Sequence, residues 1–303
     1  MHRSLTNTKT AALLSLSSAL LLFATRLEAH EEGAPFSGSI IDPIILHHAH
    51  IENEQRVNFF ALNGMPDENG VKHPGYETEL ELAYGSKNYR YGFELFLPIE
   101  NMAAPDGRGR VTGLGDMEIR PLKYAFVMKP DFVISTASGF GLPTGSKKDG
   151  LGEGNTAFTQ YLFADKAVGR WSLNMNLGLG ANLFGEDDKW FEYGAGVAYS
   201  FIRGVEGSKV APARPVQTWV ISPSLELTGE HSFRDIAGRH TTALTPGLSF
   251  WHVRSGWQIR IGAQLPVAGQ READSVFTIQ VGNHLNWAAL FGRKQQRSEP
   301  GDI

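Results

Sequence analysis

The chain contains no cysteine, carries few charges and has a single long apolar run. The absence of cysteine excludes the small secreted domains that disulfides stabilise. With 28 basic and 32 acidic residues among 303, the chain lacks the basic excess that neutralises phosphates, so we expect no nucleic-acid partner. One apolar run is too few for a helical membrane protein, in which every span needs about 20 apolar residues. A hydrophobic content of 42% and an aromatic content of 11% argue against a disordered chain.

The apolar run covers residues 11–24 and follows Arg3 and Lys9. A basic start, an apolar stretch too short to span a bilayer and a small residue at Ala29 are typical of a secretory signal peptide. We therefore predict that residues 1–29 are a signal peptide and that the rest of the chain is exported.

Beyond residue 55, hydrophobic residues recur with a period of two, which is typical of β-strands. In residues 171–184, for example, Leu173, Met175 and Leu179 alternate with Asn174 and Asn176. Such segments run for about 9 to 14 residues, the length needed to cross a bilayer at a tilt. The polar positions would form a poor core, whereas a barrel with an apolar outside and a wet inside explains both faces. The sequence predicts an all-β fold, an antiparallel transmembrane β-barrel.

About twelve strands are predicted, an even number as in bacterial outer-membrane barrels. They cover residues 56–62, 77–84, 89–97, 113–128, 131–141, 155–164, 171–184, 190–202, 218–230, 241–253, 257–265 and 275–285. Long and short connections alternate between them, except that residues 203–217 are long where a short turn is expected. Either this turn carries an insertion or the strands around it are miscounted. We predict an N-terminal segment over 30–55, a barrel over 56–291 and a polar tail over 292–303.

Three motifs follow one another along the predicted barrel: residues 91–98 (YGFELFLP), 113–116 (GLGD) and 141–145 (GLPTG). Each alone is ordinary turn chemistry, in which glycine supplies a positive φ and proline starts a turn. In this order they resemble the outer-membrane barrels of the MetA-pathway of phenol degradation family. The resemblance covers most of the exported chain and implies an outer-membrane transporter for small molecules, with aromatic or hydrophobic compounds as one option.

Polar side chains on the inward face of the strands are predicted to line the lumen. They are Glu77, Glu79, Glu81, Asn174, Asn176, Gln258, Arg260 and Gln264. Opposite charges across a narrow lumen would set ion selectivity, or the same groups would pair with one another and fill the bore. About eight strands leave room for side chains alone and sixteen leave an aqueous channel, so twelve predict a narrow or plugged pore.

The segment 30–55 contains Asp42-Pro43, a typical helix start, followed by Ile44, Ile45, His48 and Ile51 at helical spacing. We predict a short helix in the periplasm or inside the lumen, with an irregular segment as the alternative. On such a helix His47, His50 and Glu54 share one face, and imidazole with carboxylate suits a borderline metal ion. Alternatively, these polar side chains are merely solvated.

We expect neither enzymatic activity nor a cofactor. His231 and Ser232 lie in a predicted external loop that Asp235, His240 and Asp274 could approach, but no nucleophile elbow or comparable signature is present. The expected partners are outer-membrane lipid, lipopolysaccharide, the barrel-assembly machinery and a small-molecule substrate of unknown identity. Two functions remain for a protein of the bacterial outer membrane: a small-molecule channel or transporter, and a structural or sensory barrel whose His-rich N-terminal segment binds metal or a partner.

Overall fold

The computed structural model describes residues 40–66, 70–107, 109–201, 219–233, 239–252, 257–270 and 273–284. The predicted signal peptide, the connection 203–217 and the polar tail lie outside these residues. Within the described residues no helix has the length and the hydrophobicity needed to cross a membrane.

The described chain consists almost entirely of β-strands. They are β1 (Glu54–Pro66), β2 (Lys72–Gly85), β3 (Tyr91–Ala103), β4 (Arg110–Leu114), β5 (Met117–Lys129), β6 (Phe132–Leu142), β7 (Thr156–Val168), β8 (Trp171–Phe184), β9 (Lys189–Tyr199), β10 (Trp219–Ser232), β11 (Arg239–His252), β12 (Trp257–Gly269) and β13 (Ser275–His284). A single 3₁₀ turn, Lys147–Asp149, interrupts the loop between β6 and β7.

The strands form one closed antiparallel barrel. Apart from β4, which pairs with β3 alone, each strand pairs with the strands before and after it, and the pairing of β1 with both β2 and β13 closes the sheet. β4 and β5 share one position in this ring, because β4 pairs with residues 99–103 of β3 and β5 with residues 91–96. The barrel therefore has twelve strand positions, which confirms the predicted fold class, and the predicted strand 113–128 is one strand broken at Gly115-Asp116.

Burial is inverted relative to a soluble protein, as β8 illustrates. Ser172 and Asn174 are 1% and 5% exposed, whereas Leu173 and Leu179 are 44% and 63% exposed. The polar residues therefore face the interior and the apolar residues face outward, where hydrocarbon would cover them. This arrangement confirms the inward and outward faces that the period of two predicts.

The two rims of the barrel differ in the length of their connections. At the rim where β1 begins, β5 joins β6 through residues 130–131 and β7 joins β8 through residues 169–170. At the opposite rim, β6 joins β7 through residues 143–155. We call these the short-turn rim and the long-loop rim; in outer-membrane barrels the short turns face the periplasm.

Residues 40–53, called the plug below, precede β1 and lie inside the barrel near the short-turn rim. They are irregular, so the predicted helix starting at Asp42-Pro43 is wrong and the irregular alternative is right. Hydrogen bonds to the barrel wall explain why this segment is irregular. The amides of Ile44, Ile45 and Leu46 donate to a side chain of the barrel wall, and Asp42 binds Arg260 of β12 where the predicted helix would use it as a cap.

Candidate functional site

The plug is held chiefly by the carboxylate of Glu226, which β10 carries on its inward face. Oε1 accepts the amide of Ile44 at 2.6 Å, and Oε2 accepts the amides of Ile45 and Leu46 at 2.9 and 3.0 Å. Glu226 is 1% exposed, so these bonds form away from water. Three consecutive backbone amides of the plug are thus satisfied by one side chain.

Further polar contacts fix the plug around the wall. Asp165 of β7 accepts the amide of Ala49 at 2.6 Å, and Arg260 of β12 donates to Asp42 at 2.6 Å. Gln280 of β13 donates to the carbonyl of Ile44 at 2.7 Å. Together with a bond from the amide of Ile41 to Ser172, these contacts join the plug to five strands: β7, β8, β10, β12 and β13.

Glycines on the inner wall receive the apolar side chains of the plug. A Cβ at Gly247 of β11 would lie 2.0 Å from Cδ1 of Ile44, and a Cβ at Gly194 of β9 would lie 2.1 Å from Cδ2 of Leu46. The wall at these positions has no room for a side chain while the plug is docked. A side chain at either position would displace the end of Ile44 or Leu46, so glycine allows their close approach to the wall.

One sector of the interior is apolar, which the sequence did not predict. Ala49 and Ile51 of the plug pack in one cluster with Val133 of β6 and Phe163 of β7. These side chains are at most 2% exposed. The plug is therefore docked by burial of apolar surface as well as by hydrogen bonds.

His47 lies against the apolar sector, facing Arg120 of β5. Nη2 of Arg120 donates to Nε2 of His47 at 2.8 Å, and the imidazole contacts the rings of Phe96 and Phe163 edge-on. Burial, and after it the positive charge of Arg120, hold the pKa of His47 well below its usual value. His47 is therefore a neutral acceptor for a wall arginine.

His48 and His50 stack on one another, with ring centroids 4.1 Å apart, beside several carboxylates. Burial and the neighbouring His50 lower the pKa of His48 to about 4. Burial also acts to lower the pKa of His50, but Glu52, Asp165 and Asp42 outweigh it and raise that pKa well above its usual value. Burial and Glu52 act to raise the pKa of Asp42, yet its bond to His50 leaves that pKa lowered.

The predicted metal-binding set, His47 with His50 and Glu54, is not brought together. It assumes a helix, and in the irregular plug His47 is turned toward Arg120. Two other groups in the described chain offer ligand atoms within 4.8 Å of one another: His48 with His50 and Glu52, and His48 with Glu54 and Glu81.

A cavity of about 640 Å³ extends from the plug toward the long-loop rim. Its floor includes residues 44–47, and carboxylates dominate its wall. The acidic lining residues are Glu77, Glu79, Glu81, Glu100, Asp116, Glu118, Glu153, Asp188, Glu192 and Glu230; Arg56 is the basic residue among the described lining. A second cavity of about 310 Å³ adjoins the plug beside β10, β11 and β12.

The predicted lumen-lining residues all lie on the inside, but at different depths. Glu77, Glu79 and Glu81 line the larger cavity, and Asn176 and Gln264 line the smaller one. The other three lie at the level of the plug, since Asn174 donates to Asp165 and Arg260 contacts both Gln258 and Asp42.

Ion pairs of the wall occupy part of the bore, as one of the two sequence interpretations held. Arg120 and Lys123 of β5 contact Glu94 of β3 at 3.1 and 2.6 Å, and Arg56 of β1 pairs with Glu81 of β2. The key residues that the sequence reasoning missed are Glu226 and Asp165. Each is a single acidic residue at an inward-facing position of a strand. That sequence pattern alone does not reveal that the carboxylate accepts hydrogen bonds from the backbone of the plug.

The residues considered for catalysis have structural contacts. The hydroxyl of Ser232 donates to Asp188 at 2.7 Å, and His231 packs edge-on against Phe233. Asp235 lies outside the described residues.

No family model matches the chain, and no curated protein matches it in sequence. Its structure is similar to that of an outer-membrane channel from Pseudomonas putida F1, at 16% identity over 81% of this chain and 100% of that chain, with a TM-score of 0.54. The chain has the fold of an outer-membrane β-barrel. The KdgM porin (10% identity, 77% of this chain, 99% of that chain) and the β domain of the Bordetella autotransporter BrkA (11%, 77% and 100%) give TM-scores of 0.46 and 0.48. The resemblance to the MetA-pathway family stays a prediction.

Proposed function

We propose that the protein is a channel or transporter of the bacterial outer membrane for small molecules, and that the plug closes its lumen. The observation that carries the proposal is the combination of an interior cavity of about 640 Å³ with a floor made by a segment joined directly to β1. The floor is held largely by polar contacts, which water can replace when the plug leaves. A purely structural barrel has no need of such a cavity.

Small cations and neutral polar molecules fit the larger cavity better than anions do. Ten acidic side chains line the cavity in a low-dielectric wall, where their field attracts cations. Phe60, Phe96, Tyr161 and Trp190 contribute to the same lining. An aromatic compound with a positive charge would contact both kinds of side chain.

Outer-membrane lipid and lipopolysaccharide are the partners that suit the outer surface. Lys147 and Lys148 lie on the long-loop rim in the 3₁₀ turn. If that rim faces outward, these lysines are positioned to contact lipopolysaccharide phosphates. Folding would require the barrel-assembly machinery. Export would require the predicted signal peptide.

Single-channel conductance in planar bilayers tests the proposal. We expect low, intermittent conductance from the protein with its plug and steady, larger conductance after deletion of residues 30–53, because the deletion removes the floor of the cavity. A folded deletion variant that remains silent would refute the channel function. Heat-dependent mobility on a denaturing gel verifies that both proteins form closed barrels.

The alternative function, a structural or sensory barrel, is favoured by the histidines and carboxylates of the plug. It predicts that the deletion leaves conductance at the level of the bare bilayer while altering partner or metal binding.

A further inference from the structure

Two imidazoles and two carboxylates converge where the plug meets β1. Nε2 of His48 lies 3.7 Å from Oε1 of Glu52 and 3.9 Å from Oε2 of Glu54. Nε2 of His50 lies 3.3 Å from the same oxygen of Glu52. All four side chains are at most 9% exposed. The cluster is thus a compact set of nitrogen and oxygen atoms sealed from water.

Hydrogen bonds orient both imidazoles with Nε2 toward this cluster. Nδ1 of His48 lies 2.9 Å from the carbonyl oxygen of His50, which can only accept, so Nδ1 carries the proton. In a neutral His48 the lone pair of Nε2 then points at two carboxylates. Nδ1 of His50 lies 3.3 Å from Asp165, which directs its Nε2 toward Asp42 at 3.1 Å and Glu52 at 3.3 Å. A carbonyl or carboxylate behind each imidazole is the arrangement that orients metal-binding histidines.

Glu54 supplies independent evidence for a cation site. It is 1% exposed, and neither of its carboxylate oxygens makes a hydrogen bond among the described residues. Its nearest charged neighbours are Nη2 of Arg260 at 3.6 Å and Nη1 of Arg56 at 3.9 Å, both beyond hydrogen-bond distance. A buried carboxylate without hydrogen bonds is costly, and a bound metal ion would remove that cost.

The balance of charge around the cluster is negative. Five buried carboxylates belong to it: Asp42, Glu52, Glu54, Glu81 and Asp165. Against these stand the two buried guanidinium groups of Arg56 and Arg260, while Lys123 and Arg120 are engaged with Glu94. A divalent cation bound here would offset two of these negative charges.

We propose that His48, His50, Glu52 and Glu54 bind a divalent metal ion of the zinc class. Bonds of about 2.0 to 2.2 Å in a tetrahedral site place ligand atoms about 3.4 Å apart. The three separations that link these ligands, 3.3 to 3.9 Å, are close to this spacing. Glu54 shares a group of close ligand atoms with His48 but not with His50 and Glu52, so its carboxylate has to shift toward them to complete the site. Mixed imidazole and carboxylate ligands suit Zn²⁺ better than Mg²⁺ or Ca²⁺, which prefer oxygen alone.

The metal ion would also lock the plug in its docked conformation. Its ligands span only seven residues, but Asp165 of β7 orients one of them, so the site is complete only when the plug is docked. This locking role rests on the proposed channel function, whereas metal binding does not.

Zinc titration of the exported chain in detergent micelles, after removal of metal with EDTA, tests the site. Calorimetry should give one tightly bound Zn²⁺ per chain, and Co²⁺ should give the visible absorption of a four-coordinate site. His48→Ala should weaken zinc binding at least about 100-fold. Glu54→Gln, which keeps the shape of the side chain and so protects folding, should weaken it at least about tenfold.

His73→Ala is the matched control, because His73 is the second residue of β2, at the opposite rim, and this variant should bind zinc as the wild type does. Heat-dependent mobility on a gel verifies that each variant is folded. The absence of tight zinc binding in the wild type, or equal binding by wild type, His48→Ala and Glu54→Gln, would overturn the site. Equal binding would place the metal elsewhere, for example at the predicted N-terminal His30.

Conductance separates the locking role from the channel function. Added Zn²⁺ should reduce openings of the wild type and leave the 30–53 deletion unchanged, since the deletion removes three ligands and the plug. Zinc binding with unchanged wild-type openings would refute locking. A silent deletion variant would instead refute the channel function, whatever the zinc titration gives.

Discussion

At the scale of single residues, Glu226 determines how the plug is held. Its carboxylate is buried and accepts three backbone amides of the plug. Hydrogen bonds to a charged acceptor contribute about 1.5 to 3 kcal/mol each. When the plug leaves, water can reach the carboxylate, so the undocked state is accessible as well. In the proposed channel, this one side chain would therefore set much of the balance between closed and open states.

Glu226→Gln should shift this balance toward the open state. The side-chain oxygen of glutamine can still accept a hydrogen bond. Its amino group, however, would place an N–H donor against a backbone N–H donor of the plug. We expect a loss of about 2 kcal/mol, which corresponds to about a 30-fold larger open-to-closed ratio. Single-channel recordings measure that ratio, and hydrogen exchange of the amides of residues 44–46 measures docking directly.

Glu230→Gln is the matched control because it removes the same charge from the same strand, at a position that lines the cavity. Equal effects of the two substitutions would mean that Glu226 acts through its charge in the lumen and does not anchor the plug.

At the scale of elements, the break between β4 and β5 organises the long loop 143–155. Asp116, at the break, accepts the amides of Gly145 and Glu153, each at 2.8 Å. Thr144 accepts the amide of Met117 and donates to the carbonyl of Gly115. The kinked strand and the loop thus hold one another across the long-loop rim. Asp116 also lines the larger cavity, so the loop borders the path into it.

Asp116→Ala should release this loop. Both ends of the loop lose a charged acceptor, and the backbone around Lys147 and Lys148 should open at least about ten times more often. Limited trypsin digestion of the folded barrel, followed by mass spectrometry, measures cleavage after these lysines. Asp187→Ala, an exposed acid between β8 and β9, should leave the cleavage rate unchanged. Unchanged cleavage in Asp116→Ala would show that Asp116 does not restrain the loop.

The strands were predictable from sequence and the plug was not. Side chains alternate between lipid and lumen along a strand, so β8 was recognisable from its own residues over its full length, Trp171–Phe184. The plug obeys no such local rule, because its amides bind Glu226, about 180 positions later in the chain. The helical spacing of Ile44, Ile45 and Ile51 is real, but these side chains fit the wall in an irregular conformation.

The candidate site was predictable in composition but not in geometry. Histidine and acid in the segment 30–55 suggested a metal site, yet the ligand choice of His47, His50 and Glu54 assumed a helical period. In the irregular plug, His47 turns to Arg120 and His48 takes the place beside Glu54. Spacing identifies ligands only where the backbone is regular.

At the scale of the whole molecule, the outward apolar surface determines which solvent the protein tolerates. Leu179 lies near the middle of β8 and is 63% exposed, whereas Phe184 ends the strand and is 74% exposed. In a bilayer, Leu179 would contact the hydrocarbon core and Phe184 would contact the membrane–water interface.

Leu179→Arg should therefore destabilise the protein by about 2 to 4 kcal/mol, and Phe184→Arg by about 0 to 1 kcal/mol. Urea unfolding in lipid vesicles, followed by tryptophan fluorescence, measures both values. Equal small losses would contradict a membrane-spanning barrel.

Charge distribution predicts the ion selectivity of the open channel. With the plug deleted, we expect K⁺ to permeate more readily than Cl⁻, because carboxylates dominate the lining of the larger cavity. The preference should fade at 1 M salt, where the Debye length is only about 3 Å. Reversal potentials in a KCl gradient measure this preference for K⁺ over Cl⁻. Glu77→Gln combined with Glu79→Gln should reduce the preference, while Asp131→Asn, in a turn of the short-turn rim, should not.

The wide spread of the plug's contacts along the chain has a kinetic consequence. The plug is synthesised early, but Glu226, Arg260 and Gln280 follow about 180 to 240 residues later. Contacts between such distant parts of a chain form slowly, because long segments must first be ordered. We therefore expect docking in the last stage of folding, after β10, β12 and β13 have joined the sheet. A barrel that has not yet closed has no complete binding site for the plug. Protection of the amides of residues 44–46 from hydrogen exchange would therefore report when assembly of the barrel is complete.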